Sequence, residues 1–369
     1  MADLIFSDRP FKKGLKEILA DRRVDLIVAS GFVRDNSLYA DVKKVLSKQD
    51  VPVRFMSSHL NMASVEKTFE GTPFKSLLVL GGGRLIDFSK VACAHFDAEL
   101  CVVLTNLSND GFASGCSALP EDEGKDFVTV QSRQPAMVFA FHELISRMPR
   151  EFILSGLGEA ISKLQVMEDL RFEYDQLKIE RIFCQPLEAL YDLLFRDFTI
   201  HDYNDREFLF RLTTALYQYS SLMRRGSELC SRSEHEFEKT CTTNGVNLRH
   251  GTLVLLGALV SMKVRQLHGE SISSGAPIFT YSTLLKVIVK FKLTKCVREA
   301  LRVLSEHLSK KNFHNGLKDL SNLRPERPGL WNHIDTRTID WSHLFQKLDR
   351  DLKKMKKSGN NGFSEVLEC

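Results

Sequence analysis

Residues 77–87 read Leu-Leu-Val-Leu-Gly-Gly-Gly-Arg-Leu-Ile-Asp. An apolar run that stops abruptly at three glycines is typical of a strand buried on both faces of a parallel sheet, followed by a turn and a helix. The glycines permit positive φ angles and a close approach of backbone to a ligand. A helix that begins near Arg84 would present its free N–H groups to an anion, which in a βαβ unit is commonly a dinucleotide pyrophosphate. The run is not GxGxxG, so a tight turn without a ligand is an equal alternative.

The rest of the N-terminal region repeats this rhythm. Alternating strands and helices predict parallel βαβ units with right-handed crossovers. The stretch 106–130 is rich in Ser, Gly, Asp and Asn and predicts a functional loop with a hairpin. The other predicted strands are Leu26–Ala29, Val51–Met56, Leu100–Leu104 and Ala136–Ala140, and the predicted helices are Leu38–Leu46, Met62–Phe69 and Leu85–Ala94.

The pattern changes after Pro149 to long helical periods. A chain of 369 residues exceeds what a single core usually supports. We therefore predict a Rossmann-like α/β dinucleotide-binding domain over 1–148, an all-α metal- and substrate-binding domain over 149–357, and a disordered tail over 358–369. The predicted helices of the second domain are Glu151–Leu170, Phe208–Arg224, Ser233–Cys241, Thr252–Leu267 and Val297–Lys310.

Composition limits the classes of function. Hydrophobic residues make up 43% and charged residues 27% of the chain, as in soluble globular proteins. No apolar run reaches the roughly 18 to 20 residues that span a bilayer, and residues 1–10 lack the features of a signal peptide. A net charge of +4 gives no case for nucleic acid. Eight cysteines without CxxC pairs favour a reduced protein, so a cytoplasmic location is expected.

Glu159, His235 and His250 form a candidate metal site. Two imidazoles and one carboxylate leave coordination positions open, which is the pattern of a catalytic ion. An ion held there would lower the pKa of a substrate hydroxyl. Two histidines chosen from eleven are more often ordinary hydrogen-bonded residues, so these residues alone leave both interpretations open.

The residue types of these motifs and their order along the chain resemble those of the sn-glycerol-1-phosphate dehydrogenases. That family belongs to the superfamily that also holds glycerol dehydrogenase, iron-containing alcohol dehydrogenases and 3-dehydroquinate synthase. Its glycine run with a following Asp and its Pro-Thr-x-x-Ser-His-Asp-Gly-x-x-Ser loop are similar to Gly81–Asp87 and Thr105–Ser114. Its Gly-x-Gly-Asp, Ser-Glu-His and His-Gly motifs are similar to Gly156–Glu159, Ser233–His235 and His250–Gly251. The resemblance runs from about residue 26 to residue 257 and implies a dehydroquinate synthase-like fold.

The resemblance also implies roles for individual residues. A divalent ion, zinc before nickel or iron, would be held by Glu159, His235 and His250. Asp110, Lys163 and Lys239 would lie on the substrate side as catalytic residues. NAD or NADP would contact Gly81, Gly82, Gly83, Arg84, Leu85, Ile86, Asp87, Thr105, Asn106, Leu107, Ser108 and Ser114.

Four positions depart from the family pattern. The His before Asp-Gly is Asn109, the second His of the Ser-Glu-His region is Lys239, and the Glu after His-Gly is Thr252. The metal Asp is Glu159, as in the related cyclases, so ligation is kept. Metal and cofactor positions are thus mostly kept while substrate-side positions change, which predicts the same chemistry on another substrate.

Two further details bear on cofactor and reaction. Lys163 follows Glu159 by four residues, as in the dehydrogenases, whereas the cyclases place their lysine three residues on. The second strand ends in Met56-Ser57-Ser58-His59 without the acidic residue that commonly selects NAD, so NADP is also accommodated. Leu323–Arg327 resembles a late segment of the family.

The leading prediction is a metal-dependent NAD(P)-linked oxidoreductase. It would interconvert a hydroxyl and a ketone on a small, phosphorylated or otherwise anionic polyol bound between the two domains. A sugar-phosphate cyclase or lyase that uses NAD transiently is the alternative enzyme, and a non-catalytic homologue is the third interpretation. The expected partner is a small-molecule substrate, with no nucleic acid and no membrane, and a homodimer is one option for assembly.

Overall fold

The computed structural model describes residues 2–56, 60–122, 127–195, 203–224, 226–268, 277–322 and 329–358. Internal contacts divide the chain into two units: unit 1 holds residues 1–156 and 197–227, and unit 2 holds residues 157–196 and 228–369. The predicted domain division after residue 148 stays a prediction. The family-like segment 323–327 and residues 359–369 of the predicted tail 358–369 lie outside the described residues. Ser358, the first residue of the predicted tail, is the last residue of a helix.

Unit 1 is built on a six-stranded parallel sheet with the order β1-β8-β5-β4-β2-β3. A separate antiparallel hairpin is formed by β6 and β7. The prediction of an N-terminal α/β fold with a parallel sheet is confirmed. The strands are β1 (Asp3–Ser7), β2 (Leu26–Ser30), β3 (Val53–Met56), β4 (Ser76–Gly81), β5 (Glu99–Leu104), β6 (Cys116–Pro120), β7 (Phe127–Gln131) and β8 (Met137–Phe141).

The strand that ends in glycines lies at the centre of this sheet. Every residue of β4 is buried, as the unbroken apolar run predicts. The chain passes from β2 to β3 on one side and then returns to β4 on the other side of β2. Ligands of open α/β sheets bind outside the carboxyl ends of the strands at such a switch point. The topology therefore puts the turn after β4 where a ligand crevice is expected.

Unit 1 also contains most of the short helices. One long helix, α7, passes from unit 1 into unit 2. The helices up to that point are α1 (Phe11–Asp21), α2 (Gly31–Asp35), α3 (Ala40–Leu46), α4 (Val65–Phe69), α5 (Gly83–His95), α6 (His142–Ile145) and α7 (Arg150–Leu170). No helix in the described parts of the chain is long and apolar enough to cross a membrane.

The described residues of unit 2 form helices and connecting loops without a β-strand, which agrees with the predicted helical second part. The sequence did not indicate α8, because Pro186 lies inside it and proline normally ends a helix. The remaining helices are α8 (Gln176–Leu194), α9 (Arg206–Leu222, in unit 1), α10 (Ser233–Thr243), α11 (His250–His268), α12 (Tyr281–Lys290), α13 (Thr294–His307), α14 (Lys311–Lys318) and α15 (Trp341–Ser358).

Glycines let three of these helices approach closely. A Cβ added at Gly158 of α7 would collide with the Gly251 carbonyl at the start of α11. A Cβ added at Gly257 of α11 would collide with the backbone of Glu234 in α10. Since backbone–backbone contact of this kind needs a residue without a side chain, α7, α10 and α11 are held together at glycine positions. These three helices carry the candidate metal ligands.

Candidate metal centre and cofactor loop

The three predicted metal ligands lie together. Glu159, His235 and His250 each offer a ligand atom, and these atoms are all within 4.8 Å of one another. His250 Nε2 is 3.2 Å from Glu159 Oε2, and His235 Nε2 is 3.7 Å from Glu159 Oε1. Donors in a tetrahedral site at about 2.0–2.1 Å from an ion lie roughly 3.3 Å apart. The three donors are thus close enough to close around one divalent ion.

Each ligand comes from a different helix. His235 is the third residue of α10, and His250 is the first residue of α11. Glu159 lies in the middle of the 21-residue α7, whose bounds agree with the predicted helix Glu151–Leu170. Gly158 before it serves the close approach of α11 and does not mark a helix start.

Charges around Glu159 keep it ionised. Its carboxylate is fully buried and accepts a hydrogen bond from Lys163 Nζ at 2.6 Å, and Lys163 also donates to the Cys230 carbonyl at 2.8 Å. Burial by itself raises the pKa of Glu159, but the Lys163 ammonium and the two imidazoles hold this pKa well below its usual value. A buried anion beside two imidazoles is a donor set suited to a cation.

Two glutamates that the sequence did not single out face the histidine rings. Glu234 Oε1 lies 2.6 Å from His235 Nδ1, and Glu238 Oε1 lies 3.3 Å from His250 Nδ1. A carboxylate at the far nitrogen of a ligating imidazole is the usual outer partner in metal sites. In the sequence these glutamates are visible only as part of the acidic residues of α10, and acidic residues are equally typical of a helix face that is exposed to solvent.

The start of α10 is anchored by the fully buried Asp169. Asp169 Oδ2 accepts from Ser233 N at 2.9 Å, and Asp169 Oδ1 accepts from Leu330 N at 3.2 Å. Leu330 N also donates to Ser233 Oγ at 2.8 Å, and Trp331 Nε1 donates to the Ser233 carbonyl at 2.8 Å. These bonds fix the helix turn from which His235 projects.

The glycine turn differs in one respect from expectation. None of Gly81, Gly82 and Gly83 has a positive φ, and Gly82 is extended with φ −115° and ψ −172°. The positive φ that glycines permit is therefore not used here. What requires glycine is space, since a Cβ at Gly82 would collide with the Asn106 amide and one at Gly83 would lie 2.5 Å from Asn109 Nδ2. The helix begins at Gly83, one residue before the predicted start.

The loop after β5 is tied to this turn. Thr105 N donates to the Gly81 carbonyl at 3.1 Å, and Leu107 is fully buried. Asn106 Oδ1 accepts from Ser108 N at 3.3 Å, while the Ser108 carbonyl accepts from Ser155 Oγ at 2.9 Å. The predicted cofactor residues 105–108 thus lie against the predicted cofactor turn.

Lys90 fastens the rest of this loop to α5. Its side chain is fully buried, and Nζ donates to Asp87 Oδ1 at 3.0 Å, Gly111 O at 3.0 Å and Ser114 Oγ at 2.9 Å. The Cys116 carbonyl is a fourth oxygen in contact with the ammonium. Ser114 is buried within this network, so its assignment to the cofactor stays a prediction.

Replacing Lys90 by methionine is expected to destabilise the protein by about 3–5 kcal/mol, because the Asp87 carboxylate is left buried without its cation. The midpoint of urea unfolding, followed by circular dichroism, measures this change. Lys295→Met is the matched control, since Lys295 is exposed and its contact with Glu299 is 3.8 Å. Equal midpoints for the two variants would show that the buried pair contributes little.

The predicted substrate-side residues are split between the units. Asp110 is buried in the loop of unit 1, and Asn109 lies beside Gly83. Lys163 is buried beside Glu159 in unit 2. Lys239 is exposed on α10, one turn after His235.

Comparison with known proteins agrees with this architecture. Residues 13–149 match a family model described as iron-containing alcohol dehydrogenase. A glycerol-1-phosphate dehydrogenase [NAD(P)+] of Methanospirillum hungatei is 26% identical over 269 residues, covering 69% of this chain and 72% of that protein. The N-terminal part of the chain is thus similar to iron-containing alcohol dehydrogenases. A longer part of the chain is similar to the glycerol-1-phosphate dehydrogenases.

Two further similar proteins extend this comparison. A glycerol-1-phosphate dehydrogenase [NAD(P)+] of Thermofilum pendens is 28% identical over 206 residues, and the aligned part spans 55% of this chain and 54% of that protein. The chain thus matches about half the length of that relative. The crystal structure of glycerol dehydrogenase from Schizosaccharomyces pombe aligns with a TM-score of 0.67 over 98% of this chain and 92% of that one. At 16% identity this likeness shows the fold alone.

Proposed function

We propose that this protein is a metal-dependent, NAD(P)-linked oxidoreductase. It interconverts a hydroxyl and a ketone on a small polyol that carries phosphate or another anionic group. The observation that carries the proposal is the cluster of Glu159, His235 and His250, in which each imidazole has a carboxylate at its second nitrogen. Relatives named glycerol-1-phosphate dehydrogenase [NAD(P)+] support the reaction class.

Unit 2 supplies the metal-binding residues. Glu159, His235 and His250 hold the ion, and two nitrogen donors with one oxygen donor suit zinc first, with iron or nickel as alternatives. The bound ion polarises the substrate oxygen and lowers the pKa of a substrate hydroxyl. Lys163 adds a buried positive charge at the same carboxylate, which favours an oxygen that gains negative charge during the reaction.

Unit 1 supplies the cofactor-binding residues. The N-terminus of α5, which begins at Gly83, favours an anion over the turn, so Gly81–Asp87 receive the pyrophosphate. The loop Thr105–Ser108 and Ser114 complete the proposed cofactor site. Asp110 in this loop and the exposed Lys239 in unit 2 are proposed to contact the substrate, and an ammonium group suits an anionic one.

The test is an assay that follows nicotinamide absorbance on the zinc-loaded protein with a panel of keto and polyol phosphates. We expect net cofactor oxidation with at least one ketone.

NADPH should bind at least as well as NADH in calorimetric titrations, because residues 57–59 carry no carboxylate to repel a 2′-phosphate. These three residues lie outside the described ones, so only their residue types support this expectation.

Each other outcome of this assay contradicts a stated part of the proposal. A clear preference for NADH refutes the statement about NADPH. Turnover without net cofactor oxidation identifies a cyclase or lyase. An ion-loaded protein that turns over no member of the panel supports a non-catalytic homologue. Homodimer formation and a cytoplasmic location also remain predictions.

A further inference from the structure

His250 has carboxylates on both sides of its ring. Nε2 is 3.2 Å from Glu159 Oε2, and Nδ1 is 3.3 Å from Glu238 Oε1. A neutral imidazole has one N–H and one lone pair. If Nε2 is to present its lone pair to an ion, Nδ1 must carry the hydrogen, and Glu238 is placed to accept that hydrogen bond. The ring is therefore oriented from the side opposite the ligand cluster.

The other histidine of the cluster shows the same arrangement with a different glutamate. His235 Nδ1 lies 2.6 Å from Glu234 Oε1, while His235 Nε2 faces Glu159. Glu234 itself accepts from Arg232 N at 3.1 Å and is fully buried. Two histidines on two helices with the same pairing argue against a chance contact at His250.

Glu238 is held in place by its own surroundings. Its side chain is only 16% exposed, and Thr242 Oγ1 donates to its Oε1 at 2.9 Å. His235, Glu238 and Thr242 follow one another at spacings of three and four residues, so they lie on one face of α10. One helix thereby carries a ligand and also the carboxylate that orients the ligand of the next helix.

The charges of the cluster also favour a role for Glu238 in holding a divalent ion. Glu159, Glu234 and Glu238 contribute three negative charges, and Lys163 contributes one positive charge. The net charge of these four groups is two negative, which a divalent ion neutralises. Without Glu238 only one negative charge would remain, and a dication would be held less strongly.

We propose that Glu238 is a positioning residue of the metal centre, which orients His250 Nε2 toward the ion and adds the negative charge that a dication needs. This inference rests on the proposed function only in assuming that an ion binds at Glu159, His235 and His250. Glu238 does not touch the ion itself. Its effect on catalysis passes through His250.

The experiment uses metal-free, full-length protein and Co²⁺ as the probe. Competition with a chromophoric chelator gives the affinity, and the visible absorption of bound Co²⁺ reports on the ligand set. Glu238→Ala should lower affinity about 10- to 100-fold, the usual cost of losing such an outer partner. Glu238→Gln should lose less, because its amide oxygen still accepts from Nδ1–H while the charge is gone. Glu306→Ala is the control, since Glu306 is an exposed carboxylate on α13.

Three outcomes decide the matter. The order wild type, then Gln, then Ala in Co²⁺ affinity, with the control unchanged, supports the proposal. Affinities of both Glu238 variants within two-fold of wild type overturn it while leaving the proposed function intact. Wild-type protein that binds no Co²⁺ overturns both. If Glu238→Ala unfolds at a lower temperature than wild type, the Gln variant is used instead, after its thermal stability has been shown to equal that of wild type. A lower Co²⁺ affinity of this stable variant then reflects the orientation of His250 and the charge of Glu238, and an unchanged affinity shows a merely structural role.

Discussion

Replacing His250 by alanine is expected to strip the divalent ion from the protein and to lower turnover by about a thousand-fold or more. The change removes the nitrogen 3.2 Å from Glu159 Oε2 and leaves only His235 and Glu159 as donors. An ion that stabilises developing charge is worth several kcal/mol, and about 4 kcal/mol corresponds to a factor of a thousand. Metal analysis after dialysis and the cofactor assay measure the two effects.

A matched control separates loss of the ligand from loss of a histidine in general. His343 is exposed on α15 and has no part in the cluster, so His343→Ala should keep both metal and activity. Full metal content and full activity in the His250 variant would contradict the proposed metal centre.

sn-Glycerol 1-phosphate is expected not to be the preferred substrate. The resemblance to the sn-glycerol-1-phosphate dehydrogenases implies a histidine at the position of Lys239, where this chain has a long ammonium point charge instead of a planar, titratable group. It likewise implies a histidine at the position of Asn109, whose amide does not titrate near neutral pH. Lys239 is exposed on α10 one turn after His235, where it can meet a second anionic group of a substrate.

Comparison of kcat/KM for glycerol 1-phosphate and dihydroxyacetone phosphate with a panel of keto and polyol acids tests this expectation. Another member of the panel should be turned over more efficiently. The variant with Lys239→His and Asn109→His should shift the ratio toward dihydroxyacetone phosphate. If dihydroxyacetone phosphate is reduced at roughly 10⁴ M⁻¹s⁻¹ or above and nothing in the panel does better, both substitutions are neutral.

Local pattern predicted the element type correctly for the segments that it assigned. The buried strand β4, the glycine turn and α5 follow from an apolar run that ends in residues without side chains. Several elements were not predicted, among them β1, α1, α8, α12, α14 and α15. Strand β1 is short and half-exposed at the edge of the sheet, and α8 contains a proline, so neither shows a clean period.

The three candidate ligands were predicted from the order of motifs in a resemblance, and packing brought their side chains together. The partners of those ligands were not visible beforehand. Glu238 and His250 are on different helices, and nothing in the spacing of the two residues says that one faces the other. The same holds for Asp169, whose bonds reach Ser233 and Leu330.

The sequence by itself determined the type of most periodic segments, such as β4 and α5, and which residue types stand at the turn and at the metal positions, because periodicity and residue chemistry are local properties. Only the tertiary structure decided why Gly82 must be glycine, that Lys90 is buried among four oxygens, and that Glu238 faces His250. Each of these depends on the distance between residues far apart in the chain. That distance is set by how helices and strands pack, which no single segment encodes.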